Sequence, residues 1–209
     1  MSRYRISLQE IRDTARFVRE QVEELEPFIE AVGALEPSQW PRRGTVRDEI
    51  GLELWTFAIR IASADAALSR AEIDAMFELF DGLFEYPWTD AAGGRAAAIA
   101  HMQAGAYRDG SQFDANAPWM SRLDLVLAES DRRTGGGLAL DYGRVLFRVA
   151  RLVARADKQI TPSEAGEIFN HIPVLRRLAQ REPRATRAQS AEEILAWIDG
   201  LLGSAGDPG

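Results

Sequence analysis

The chain repeats itself. Residues 54–77 align with residues 146–169 without a gap, at a constant offset of 92. Leu54 matches Leu146, Ala58 matches Ala150, Ala62 matches Ala154, Ala64-Asp65 matches Ala156-Asp157, Glu72 matches Glu164 and Phe77 matches Phe169. Conservative pairs fill the gaps: Trp55 with Phe147, Ile61 with Val153, Leu68 with Ile160, Ser69 with Thr161 and Met76 with Ile168. Self-similarity of this kind marks duplication of one supersecondary unit. It confines the chain to folds in which two copies of that unit share a core. Each copy reads as an amphipathic helix, an Ala-Asp turn, a hydrophobic residue, a cap and a second helix.

The punctuation around the repeat is helical. Ser7-x-x-Glu10, Ser69-x-x-Glu72, Thr161-x-x-Glu164 and Ser190-x-x-Glu193 have the form of capping boxes, and Thr45-x-x-Asp48 is a shorter-acid relative. Pro162 follows Thr161 at the first helical position, where its missing N–H costs nothing. Stops are expected at Pro27, at the Pro37–Pro41 loop, at Pro87, over residues 108–118, at Gly135-Gly136-Gly137, at Pro173 and at Pro183. No segment alternates with the period of a strand. The pattern predicts an all-α fold: a single bundle of about eight helices with an internal pseudo-two-fold duplication. Residues 1–40 are expected to form an amphipathic helix and loop packing on that bundle. Repeat units lie at about 45–105 and 138–200 of a domain spanning 41–202, and 203–209 form a flexible tail. Leu8, Ile11, Ala15, Val18, Val22 and Leu25 make the first helix's apolar seam. It suits packing on its own bundle or docking a second copy or another partner.

Ala-Asp at a helix end, then Leu or Ile, then Ser or Thr, then Glu three residues on, resembles the signature of the TerB-like (tellurite-resistance) family. There the stretch usually reads Ala-Asp-Gly-x-(Ile/Val)-(Ser/Thr)-x-x-Glu and occurs twice in an all-helical domain. The resemblance covers roughly residues 45–200; where the family has glycine after the aspartate, this chain has Ala66 and Lys158. It implies a non-enzymatic module for stress or phage-conflict responses, with a metal held by acidic residues. Carried to matching positions, those residues are Asp65, Glu72, Asp157 and Glu164. Four carboxylates suit a hard divalent cation such as calcium, magnesium or manganese.

A structural reading of the same acids stands beside this one. Glu72 and Glu164 occupy the third helical position of their capping boxes, where a carboxylate binds the cap N–H and favours the positive end of the helix. Asp65 and Asp157 fit Asx turns, each accepting from a loop N–H that follows. An EF-hand is excluded, because Asp65-Ala66-Ala67 and Asp157-Lys158-Gln159 lack alternating oxygen ligands and the loop glycine.

Composition narrows the function classes. Without cysteine there is neither a disulfide framework nor a thiolate metal site, and two histidines, His101 and His171, are too few for a three-histidine zinc centre. Gly135-Gly136-Gly137 follows no strand and lacks the Lys-Ser/Thr of a phosphate loop, so it reads as a flexible connector. A net charge of −7 argues against nucleic acid as the main partner. No apolar run reaches the length of a membrane span and the N-terminus carries no leader pattern, so a cytoplasmic location is expected.

The charge is polarised. Residues 45–90 hold ten acids against three arginines, whereas residues 175–187 hold five arginines against Glu182 alone. Other proteins are therefore the expected partners, with a homodimer as one form. Arg176 and Arg177 of the basic run are candidate contact residues. So are Trp40, Arg42 and Arg43, because a loop tryptophan among arginines has hot-spot chemistry. A purely structural adaptor using the residue 8–25 seam and Trp40 is the second reading. A carboxylate-metal hydrolase is the third.

Overall fold

The computed structural model describes residues 6–35, 45–64, 69–81, 83, 122–156, 160–179 and 190–204. Eight helices lie among them: α1 (Leu8–Leu35), α2 (Val46–Ala62), α3 (Arg70–Asp81), α4 (Arg122–Thr134), α5 (Leu138–Ala154), α6 (Pro162–His171), α7 (Pro173–Ala179) and α8 (Ala191–Ser204). The expected all-α bundle is what forms.

Helix starts follow the caps. Thr45, Ser69, Thr161 and Ser190 each accept from the N–H three residues on, and the acid at that position accepts the cap N–H in return. The box at Ser7 is half made. Ser7 accepts from the Glu10 N–H at 3.0 Å, while the Glu10 carboxylate reaches across to Arg155 at 2.8 Å. Pro27 does not end the first helix, which runs on to Leu35 with the proline inside it. The glycine connector is a tied corner. Gly135 takes a φ of 74°, which glycine adopts without steric cost, and the Asp131 carboxylate accepts from the N–H groups of Leu138 at 2.9 Å and Ala139 at 2.8 Å.

Helix α5 is the axis of the molecule and touches every other described helix. Its sequence permits this: Leu146, Val149, Ala150, Val153 and Ala154 are fully buried, so the helix is apolar around most of its circumference. The seam of α1 lies against the bundle's own core, with Ile11, Val18, Val22 and Leu25 buried and Leu8 alone half-exposed at its start. Trp55 meets Phe77 and Phe80 edge-on at 5.4 and 5.1 Å, within the preferred range for aromatic pairs.

The duplication extends into three dimensions. Ser63 N–H donates to the Ile59 carbonyl at 3.0 Å, and its counterpart Arg155 donates to Arg151 at 3.2 Å; Ala64 donates to Ile61 at 3.1 Å, and Ala156 donates to Val153 at 3.0 Å. The same register reaches beyond the sequence match. Leu83 N–H donates to Phe80 as Leu175 does to Ile172, and buried Gly51 corresponds to buried Gly143. α2 packs on α5, α2 on α6 and α3 on α5, so the two helical pairs face each other across a pseudo-dyad.

Candidate functional site

The recurring glutamates are cap residues. Glu72 accepts from the Ser69 N–H at 2.7 Å and Glu164 from the Thr161 N–H at 2.6 Å, and each residue is only 1% exposed. The divalent cation expected at Asp65, Glu72, Asp157 and Glu164 is thereby corrected: among the described residues, no group of three or more His, Cys, Asp or Glu side chains could hold a metal ion. The physical reason is that both glutamate carboxylates lie folded into their own helix starts, satisfying backbone donors. Asp65 and Asp157 lie outside the described residues, as do Trp40, Arg42, Arg43 and His101.

Arg176 and Arg177 sit on α7, a two-turn helix held from three sides. Val174 packs so closely on α5 that a Cβ built on Gly143 would stand 2.4 Å from its Cγ1. Leu175 is fully buried. Arg177 reaches the carboxylate of Asp124 on α4 at 3.4 Å, and Asp124 has no exposed surface. Burial pushes the Asp124 carboxyl up to about 6, although the neighbouring Arg177 draws it back down. Arg176, next to this anchored residue, is exposed. Both arginines are exposed, and Arg177, its side chain 43% exposed, also reaches inward to Asp124.

Three polar side chains cross the pseudo-dyad. Arg60 of α2 donates from Nε to His171 Nε2 at 3.1 Å, and the same nitrogen contacts the carboxylate of Glu167 one turn earlier on α6. One imidazole nitrogen cannot accept from Arg60 and donate to Glu167 at once, so the two contacts belong to alternative tautomers. The counterparts of Arg60, Glu167 and His171 in the other half are Leu152, Ala75 and Leu79, all buried. The scaffold therefore does not require polarity here. His171 closes α6 and is buried against Arg60.

A cavity of about 510 Å³ opens where the N-terminal lead-in to α1, the end of α5, the start of α6 and one face of α8 converge. Arg151 and Arg155, one turn apart, form the α5 wall. Glu192 and Asp199, two turns apart, form the α8 wall. Between them lie Ile6, Ile160 and Leu195. The walls are loosely linked: Arg151 approaches Asp199 at 3.7 Å, and both side chains remain substantially exposed. Arg155 instead takes Glu10 of α1 at 2.8 Å. In the first copy, Ile59 and Ser63 occupy the positions of Arg151 and Arg155.

None of the charged cavity residues was singled out by sequence reasoning. A usable signal was present, since two arginines at helical spacing stand where the aligned copy has isoleucine and serine. Among the described residues, no helix is long and apolar enough to cross a membrane. The chain has been compared with protein-family models, with curated proteins and with solved structures, and none of them matches.

Proposed function

We propose that this chain is a non-enzymatic binding module, TerB-like in kind, which serves stress or conflict responses by docking another protein against α7. The observation that carries this reading is the anchoring of α7: Arg177 is fixed on the fully buried Asp124 while Arg176 is exposed beside it. A cation on a pre-positioned backbone loses little freedom on binding, which favours affinity. Opposite charge on the partner would steer and orient the encounter, so the partner chemistry is an acidic protein surface. The TerB-like character rests on the doubled Ala-Asp…Glu motif, and the stress or conflict role follows from that resemblance.

The test is differential co-purification from the native cell, comparing the wild type with Arg176→Glu over a series of salt concentrations. A protein retained by the wild type, released by rising salt and reduced at least tenfold by the charge reversal supports the reading. Equal retention by a correctly folded Arg176→Glu chain contradicts it.

A further inference from the structure

The cavity between α5 and α8 is lined by cations from one helix and anions from the other. Its volume of about 510 Å³ falls within the range of roughly 300–1,000 Å³ common to small-molecule sites. Its two charged walls are opposite in sign. Arg151 and Arg155 lie on one side, Glu192 and Asp199 on the other. A simple anion drawn to the arginines would face two carboxylates, and a simple cation drawn to the carboxylates would face two guanidinium groups. A molecule carrying both charges satisfies both walls. Arginine is suited to the carboxylate end, because its planar fork can pair with both carboxylate oxygens.

The floor adds a second requirement. Leu195 and Ile6 are 5% and 1% exposed and close the cavity from beneath, while half-buried Ile160 and exposed Ala196 present hydrocarbon between the charged walls. A ligand with an apolar body covers that floor, while a fully polar one leaves it wet. The ion pair that spans the cavity is exchangeable, while Arg155 is held from the side by Glu10 of α1 at 2.8 Å. Arg151 and Asp199 stand 3.7 Å apart with side chains 43% and 63% exposed, in the class of surface pairs that contribute least to stability. The duplication points the same way. The equivalent positions in the first copy, Ile59 and Ser63, carry no charge, so the arginines are not a demand of the repeated scaffold.

We propose that this cavity binds a small zwitterion with an apolar body, the chemistry of a free apolar amino acid, with its carboxylate toward Arg151 and Arg155 and its ammonium toward Glu192 and Asp199. The proposal stands independently of the docking role of α7.

Calorimetric titration of the full chain with leucine, methionine and phenylalanine tests it, beside N-acetylleucine and leucinamide, each of which lacks one of the two charges. Saturable binding of at least one free amino acid is expected, with affinity at least tenfold weaker for both capped compounds. Arg151→Ala/Arg155→Ala and, separately, Glu192→Gln/Asp199→Asn are each expected to weaken binding at least tenfold. The second pair is isosteric and keeps a folded protein in hand should the first fail to fold. No saturable binding up to 10 mM of any of the three (about the weakest affinity such contacts would give), binding that ignores the caps, or binding unchanged in a folded variant would overturn the proposal.

Discussion

Asp124 shows how much one side chain decides. Its carboxylate lies wholly inside the protein with Arg177 as its cationic partner, yet burial outweighs that partner and raises its pKa from 3.8 to about 6. Between about pH 4 and about pH 6, the unfolded chain has released this proton while the native chain still holds it. The native state therefore binds more protons, and stability falls as pH rises through that window. A shift of this size from 3.8 to about 6 corresponds to a loss on the order of 3 kcal/mol. Urea unfolding from pH 4 to pH 7 should show Asp124→Asn gaining on the wild type by roughly that amount. A difference between the two that does not change with pH contradicts this account. At this scale the sequence was partly legible. Capping residues act on neighbours three positions away, so Glu72 and Glu164 could be recognised as caps from spacing alone. Asp124 could not, because its burial and its partner 53 residues away depend on packing.

At the scale of elements, the two copies bear matched loads. Ser69 and Thr161 hold equivalent helix starts with nearly equal hydrogen-bond lengths. Ser69→Ala and Thr161→Ala should each cost about 1 kcal/mol, the usual effect of losing a cap. Denaturant midpoints that differ by much more than the error between these variants would show that the halves do not share the load. α7 is set by a closer fit. Gly143→Ala places a methyl group 2.4 Å from Val174 Cγ1, and the short, stiff valine cannot swing clear. The expected cost is about 1–3 kcal/mol, with faster deuterium uptake over residues 173–179. An unchanged midpoint and unchanged uptake would mean that α7 is not seated on that glycine. Most helices were legible because caps and apolar spacing act locally. Pro27 misled because a proline that usually ends a helix is carried within α1 by the packing of Leu25 and Ile29 on either side.

For the whole molecule, duplication and its exceptions carry the account. The repeat was visible in the sequence and reappears as matched turns, caps and helix pairings around α5. α1 completes the core that the two copies share. Val18→Glu should accordingly cost more than about 3 kcal/mol, since it buries an unpaired carboxylate. Near-native stability for that variant would place α1 outside the cooperative core. The departures from symmetry were not legible as a site. Arg151 and Arg155 look like ordinary helix arginines until α8 is packed opposite them, and only the comparison with Ile59 and Ser63 hints otherwise. The polar crossing of Arg60, Glu167 and His171 was hidden for the same reason, because its members come together only across the pseudo-dyad.

The docking role of α7 is tested most directly by hydrogen–deuterium exchange of the chain alone and with the protein that co-purifies in a salt-sensitive manner. Slower exchange is expected over residues 173–179, and the Arg176→Glu chain should lose that protection at the same partner concentration. Protection confined to other helices, with α7 exchanging as it does in the isolated chain, would contradict the account.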